Sequence, residues 1–173
     1  MNCNIKDIKL IVLDVDGTLT DGKLYLDNNR NEIKTFNVKD GIALAKWIAL
    51  GGRTAIITGR ESNIVKNRAI ELGIHHIKQN VKNKSNALKE ILQYESLDLR
   101  EVCYIGDDIN DIGIMSKVGF PCCPSDSCAE VIKLSNYVSK AIGGNGAVRE
   151  VLEKIMKENG MWKKIIDSYL MEY

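Results

Sequence analysis

The sequence lacks the features that would place a protein in a membrane, on nucleic acid or outside the cell. None of its apolar runs approaches the roughly 20 residues that a membrane-spanning helix needs. The formal net charge is only +1, so we expect no basic surface for nucleic acid or anionic lipid. The N-terminal segment has no signal-peptide apolar core, and we therefore expect a cytoplasmic protein.

Cysteine and histidine are too few and too irregularly spaced for a disulfide scaffold or a zinc site. The cysteines number five, an odd count, and two of them are adjacent. No histidine lies near them, and their spacing fits no common zinc pattern. We expect reduced thiols without a catalytic role, which suits a reducing compartment. These residues are Cys3, Cys103, Cys122, Cys123 and Cys128.

Apolar runs of strand length alternate with helical patterns along the chain. The predicted strands cover 8–14, 53–58, 75–78 and 101–105, with edge strands at 118–122 and 136–138. The predicted helices cover 39–50, 61–72, 84–94, 109–116 and 146–157. Such alternation predicts an α/β fold with a doubly wound parallel sheet. We expect one domain over 1–173, with a hairpin over 22–37 and a C-terminal helix and tail over 146–173.

The most informative segment is 14–22, which reads DVDGTLTDG and follows an apolar run. Asp14 and Asp16 are predicted at the carboxyl end of a buried strand, where open α/β sheets bind ligands. Strand alternation lets both carboxylates project to one side of the sheet. One can act as a nucleophile and the other as an acid or base, and the residues alone do not say which. A bare Asp-x-Asp is more often a solvated turn, but Gly17 and Thr18 extend the motif.

Further polar motifs follow in order, two of them directly after apolar runs. Residues 53–60, RTAIITGR, form a predicted strand that ends in Thr58. Lys84 lies in a polar run just before an amphipathic helix. Residues 102–111, VCYIGDDIND, place acidic side chains after a third strand, starting with Asp107.

Together these motifs resemble those of the haloacid dehalogenase-like phosphotransferase superfamily. The resemblance implies a Rossmann-like core, with Asp14 as the nucleophile. It makes Asp16 the general acid for the leaving group and then the base for water. It assigns Thr58 and Lys84 to the transferring phosphoryl group, which makes both of them catalytic and substrate-binding residues.

The same resemblance implies Mg²⁺ as the cofactor. Its ligands would be the carboxylates of Asp14 and Asp107 and the backbone carbonyl of Asp16. Asp108 and Asp111 are expected to orient the metal shell and its loop. Asp111 has the alternative of simply capping the helix that follows it.

The superfamily that these motifs resemble usually carries a cap domain, inserted after the first motif or between the second and third. Here Thr18 to Phe36 leaves room only for a hairpin, and residues 61–83 hold a helix and a strand, too little for a cap. This lack of space narrows the resemblance to one branch. That hairpin, FNVKDG at 36–41 and GGNGAVRE at 143–150 resemble the 3-deoxy-D-manno-octulosonate 8-phosphate phosphatase branch. With the core motifs, the resemblance covers 8–152. It implies a small-molecule sugar acid phosphate as substrate, a role in lipopolysaccharide synthesis, and a homotetramer with shared active sites.

Arg60 is the candidate for binding the substrate's carboxylate, because a guanidinium matches a carboxylate bidentately. A related branch that acts on nine-carbon sugar acids tends to have an acid here, so Arg60 favours the eight-carbon substrate. The alternative substrates are a nonulosonate 9-phosphate or another sugar phosphate. The alternative function is that of a non-catalytic oligomerisation module like those fused to cytidylyltransferases. A metal-binding glycosyltransferase leaves Thr58 and Lys84 unexplained.

Several residues near the predicted site keep two interpretations. Arg149 either reaches a neighbouring active site or pairs with a glutamate of its own helix. Lys39 and Asp40 are expected near the entrance of the site, and Asn145 is expected to cap the last core helix. The tail beyond Lys157 carries a helical apolar stripe, which we expect to pack on the core or on another subunit.

Overall fold

A six-stranded parallel sheet forms the centre of the structure, a computed structural model that describes residues 4–171. The strands are β1 (Leu10–Leu13), β2 (Tyr25–Leu26), β3 (Glu32–Ile33), β4 (Arg53–Ile57), β5 (His76–Lys78), β6 (Val102–Ile105), β7 (Phe120–Cys123) and β8 (Tyr137–Val138). The sheet order is β5-β4-β1-β6-β7-β8, and β2 pairs with β3 as a separate antiparallel hairpin. This arrangement confirms the predicted α/β fold, with a doubly wound parallel sheet and a small separate hairpin.

Helices cover both faces of the sheet. They are α1 (Val38–Ala49), α2 (Asn63–Glu71), α3 (Lys84–Glu95), α4 (Ile112–Met115), α5 (Ala129–Leu134), α6 (Ala147–Glu158) and α7 (Met161–Leu170). One core joins alternate strand residues to α1, α2, α6 and α7, and the other joins the remaining strand residues to α3, α4 and α5. Every residue of β1 is buried, which explains why this strand reads as an unbroken apolar run.

The start of α6 is capped by a side chain from another helix. Gly146 is the N-cap residue, so the prediction of Asn145 at this position is wrong. Asp40 in the first turn of α1 accepts a hydrogen bond from the backbone N–H of Arg149 at 2.7 Å. Asp40 is only 1% exposed, and it therefore joins α1 to α6 within the core instead of standing at the surface of the site entrance.

Two other elements differ from their predicted form. Strand β7 lies between β6 and β8, so it is an interior strand and the edge is formed by β8. The hairpin predicted over 22–37 is present, but only two residues of each of its strands pair. The tail forms α7, which buries Ile165 against the core and so packs on its own chain. None of the helices within residues 4–171 has the length and apolar character needed to cross a bilayer.

The cysteines that the structure describes are free thiols. Cys103 and Cys122 lie in the core on adjacent strands, with their sulfur atoms 3.8 Å apart. Burial raises the pKa of the Cys122 thiol well above its ordinary value, which keeps it protonated and unreactive. Cys3 lies outside the described residues.

Candidate active site

The polar motifs meet at the carboxyl edge of the three central strands. Asp14 follows β1, Thr58 follows β4 and Asp107 follows β6 just after a glycine. Parallel pairing in matched register, with Leu13 opposite both Ile56 and Ile105, brings these strand ends level. Asp14 and Thr58 are 4% and 3% exposed, so the edge is a buried polar floor and not a solvated turn.

Lys84 at the start of α3 joins this floor from the side. Its ammonium lies 3.0 Å from Asp14 Oδ2 and 2.6 Å from Asp111 Oδ1. Burial by itself lowers the pKa of Lys84, but the two carboxylates outweigh it and the pKa is raised. Lys84 therefore stays charged beside Asp14, where it can neutralise an incoming anion.

Asp111 is occupied on both oxygens and acts on the site through its neighbours. Its Oδ1 accepts from Lys84 and from the Tyr104 hydroxyl at 2.6 Å, and its Oδ2 accepts from the backbone N–H of Asp107 at 3.0 Å. It also closes a capping box with Asp108, whose own side chain caps the turn. Asp111 thus orients the loop through these contacts. It is the N-cap residue of α4, but its side chain makes no capping hydrogen bond to that helix, so the alternative of a simple helix cap is wrong.

The remaining carboxylate oxygens suit a divalent cation. Asp14, Asp107 and Asp111 each place an oxygen within 4.8 Å of the others, and Asp14 Oδ1 is buried without a hydrogen-bond partner among the described residues. Burial, then the charge of Asp111, raises the pKa of Asp14 to about 6. Burial, then the charges of Asp14 and Asp111, raises the pKa of Asp107 to about 7. Crowded acids of this kind fit a hard cation such as Mg²⁺. Asp111 already accepts hydrogen bonds on both oxygens, whereas Asp14 and Asp107 can each offer an oxygen to such a cation.

The turn after Asp14 is built around close backbone approach. Gly17 has φ +89°, and a Cβ there would lie 2.0 Å from Asp107 Oδ2. The Thr18 hydroxyl donates to Asp107 Oδ1 at 3.2 Å. From the other side, a Cβ on Gly143 would lie 1.9 Å from the Gly17 carbonyl oxygen. The GGNG segment therefore supports the first motif by packing against its turn.

The hairpin supplies two charged residues to the site that sequence reasoning missed. The Lys34 ammonium contacts Asp16 Oδ1 and lies 3.5 Å from Glu32 Oε1, while the Lys34 side chain is 2% exposed. Arg60 NH2 lies 2.6 Å from Glu32 Oε1, and Arg60 NH1 lies 3.6 Å from Asp16 Oδ2. The available signal was the strand period, which puts positions 32 and 34 on one face of β3 and its extension.

Comparisons with known proteins show which family the chain belongs to. Residues 74–152 match the family model of haloacid dehalogenase-like hydrolases. The 3-deoxy-D-manno-octulosonate 8-phosphate phosphatase KdsC of Escherichia coli K12 is 39% identical over 155 residues, which cover 90% of this chain and 82% of the relative. The chain belongs to this phosphatase family. The family resemblance drawn from the motifs is thereby confirmed.

Solved structures of this phosphatase family match the whole fold. A Moraxella catarrhalis phosphatase, crystallised with magnesium, phosphate and 3-deoxy-D-manno-octulosonate (KDO), has a TM-score of 0.93 and 39% identity, and the match covers 95% of each chain. The cobalt-bound Haemophilus influenzae phosphatase has a TM-score of 0.88 and 30% identity, covering 91% of this chain and 92% of that one.

Arg149 lies outside the charged cluster formed by Asp16, Glu32, Lys34 and Arg60. Its Nε donates to Glu153 at 3.1 Å, and its guanidinium stacks 4.7 Å from the Trp162 ring centre. Within the chain it pairs with a glutamate of its own helix, as one of its two interpretations expects, and it also anchors α7.

Proposed function

We propose that this protein is a magnesium-dependent phosphatase that hydrolyses 3-deoxy-D-manno-octulosonate 8-phosphate (KDO 8-phosphate) to KDO and inorganic phosphate. The observation that carries the proposal is the intact set of reacting groups at one sheet edge, in a chain 39% identical to KdsC. That set is Asp14, Asp16, Thr58, Lys84 and Asp107. Such a product implies a place in lipopolysaccharide sugar synthesis in the cytoplasm.

Asp14 is the proposed nucleophile, and Asp16 the proposed acid and base. An Asp14 oxygen bonds to phosphorus as the bond to the sugar oxygen breaks, and Asp16 donates its proton to that oxygen. Water then attacks the aspartyl-phosphate while Asp16 takes its proton, which restores both carboxyl groups and releases phosphate. Lys84 neutralises the charge that gathers between nucleophile and phosphoryl group, and the Thr58 hydroxyl orients a phosphoryl oxygen.

Mg²⁺ would be held by the Asp14 and Asp107 carboxylates and by the backbone carbonyl of Asp16. When bound, it supplies positive charge that lets an anionic phosphate approach an anionic nucleophile. The oxygen-rich donor set, with a buried Asp14 oxygen that has no hydrogen-bond partner, supports this assignment.

Arg60 is the proposed partner of the substrate's carboxylate. Its guanidinium is 47% exposed and stands beside Asp16, so it borders the reacting groups from the open side. The related branch that acts on nine-carbon sugar acids tends to have an acid at this position. A cationic residue here therefore favours the eight-carbon sugar acid.

A homotetramer with shared active sites is the proposed assembly. Apolar side chains of the hairpin region remain open to solvent in the single chain. These residues are Leu24, Leu26, Ile33 and Val38, which are 60%, 61%, 57% and 69% exposed. Contiguous exposed apolar residues favour a protein interface. Sedimentation equilibrium tests the assembly, and a fully active monomer contradicts it.

Phosphate release from a substrate panel tests the function. The panel contains KDO 8-phosphate, a nonulosonate 9-phosphate and hexose phosphates, each with magnesium and with chelator, and Asp14→Asn serves as the control. We expect magnesium-dependent preference for KDO 8-phosphate that the variant loses. Preference for another sugar contradicts the proposed substrate, and no turnover of any substrate favours the oligomerisation module.

A further inference from the structure

Glu32 forms an ion pair with NH2 of Arg60, the nitrogen that a substrate carboxylate also needs. Its Oε1 lies 2.6 Å from Arg60 NH2, the shortest of the contacts that Arg60 makes with acids in the described chain. A guanidinium binds a carboxylate bidentately either through Nε and NH2 or through NH1 and NH2. Both modes use NH2, so a second carboxylate on Arg60 meets the charge of Glu32.

Glu32 can leave Arg60 without becoming an unpaired charge. The Lys34 ammonium lies 3.5 Å from the same Glu32 oxygen, and the Glu32 side chain is 20% exposed. A shift toward Lys34 and solvent keeps Glu32 neutralised, whereas Arg60, which is 47% exposed, gains a new partner. Ion pairs with this degree of exposure are weak enough to exchange.

We propose that Glu32 is a specificity-determining residue that holds Arg60 in the free enzyme and is displaced by the carboxylate of the sugar acid. The inference rests on the proposed function and extends it. A phosphate ester without a carboxylate leaves the pair of Glu32 and Arg60 intact. After the reaction, the return of Glu32 to Arg60 helps to expel the free sugar acid, which keeps its carboxylate.

Glu32→Gln removes the competing charge and keeps the side-chain shape. We expect KM for KDO 8-phosphate to fall about two- to fivefold, which is the size of a partly exposed ion pair. The dissociation constant of KDO, measured by calorimetry with magnesium present, should fall by the same factor. KM for arabinose 5-phosphate, which has no carboxylate, should stay unchanged.

Glu61→Gln is the matched control, since this exposed residue follows Arg60 directly and forms no ion pair within residues 4–171. It makes the same charge change without touching Arg60, and we expect neither constant to move. In an Arg60→Ala background, Glu32→Gln should likewise have no effect on KDO binding.

Three results would overturn the inference. A rise in KM and in the KDO dissociation constant would make Glu32 an orienting support for Arg60. An equal fall for both phosphate esters would reduce its role to general repulsion of anions. An effect that persists without Arg60 would place its action elsewhere. If the wild type does not hydrolyse KDO 8-phosphate, the proposed substrate fails, and the calorimetric comparison still decides the role of Glu32.

Discussion

Charged groups around Asp14 and around Arg60 are held in opposite ways. Lys84 and Asp111 are 5% and 0% exposed, and each oxygen of Asp111 has protein partners. Arg60 and Glu32 are 47% and 20% exposed, so their 2.6 Å ion pair is open to competition from water and other ions. The charged groups around Asp14 are thus fixed in the core, whereas Arg60, in the loop after β4, and Glu32, on the hairpin, lie where the proposed exchange of partners can occur.

Asp111→Asn should give the largest effect, because it weakens the anchor of Lys84 inside the core. We expect the free energy of unfolding to fall by about 3 kcal/mol, since one partner of a buried ion pair is lost. The value of kcat should fall at least tenfold, because Lys84 and the Asp107 loop lose their shared support. Urea unfolding and initial rates measure the two effects. Asp108→Asn, on the exposed neighbour, should change unfolding by under about 0.5 kcal/mol, and equal losses in both variants would contradict the contrast.

The buried centre should also make stability depend on pH. Asp14 and Asp107 have folded-state pKa values raised to about 6 and about 7, so the folded protein binds more protons than the unfolded chain above pH 4. Without metal, stability should therefore fall as pH rises from about 4 to 7, by on the order of a few kcal/mol. Magnesium binds the ionised carboxylates, so its stabilising effect should grow over the same range.

Thermal unfolding at a series of pH values, with magnesium and with chelator, measures this dependence. Asp107→Asn should flatten the metal-free pH slope and remove most of the magnesium effect. An unchanged slope in that variant would show that the crowded acids do not control it.

Arg60→Ala should separate recognition from stability. We expect KM for KDO 8-phosphate to rise about tenfold, as for loss of a charge-assisted contact to a carboxylate. KM for an aryl phosphate should change little, and unfolding should shift by less than about 0.5 kcal/mol because the side chain is half exposed. Steady-state kinetics with both esters makes the comparison, and equal effects on both would remove the proposed carboxylate role.

Asp40→Ala tests whether a buried acid that contacts none of the reacting groups affects the reaction. It removes the cap of α6, and we expect a loss of about 1 kcal/mol in unfolding free energy. The value of kcat should stay unchanged, because Asp40 touches none of the reacting groups. Lys39→Ala on the exposed neighbour is the control. A fall in kcat without a loss of stability would place Asp40 in the catalytic machinery.

Much of the buried centre around Asp14 is predictable from the sequence. Continuous apolar runs mark parallel strands, and strands of one parallel sheet end at the same edge, so Asp14, Thr58 and Asp107 are expected to meet. The hairpin side is harder to predict. Contact of Lys34 with Asp16 depends on how a short hairpin folds back over the sheet, which no local pattern encodes.

The predictions of the N-cap of α6 and of an edge strand at 118–122 are wrong for a related reason. Asn145 has a suitable side chain for an N-cap. Asp40, which is distant in sequence, accepts the hydrogen bond from the first turn of α6 instead. The segment 118–122 has the length of an edge strand, and only its pairing with β8 makes it interior. Both outcomes are decided by tertiary partners, which local propensity does not contain.

The central place of β1 also has a consequence for biosynthesis. This apolar strand is made before β4 and β6, the two strands that pair with its edges. Until residues 102–105 leave the ribosome, one side of the segment 10–13 has no partner in the sheet. Exposed apolar edges of this kind invite pairing between nascent chains. We therefore expect the yield of folded protein to depend on chaperones that shield this segment during translation.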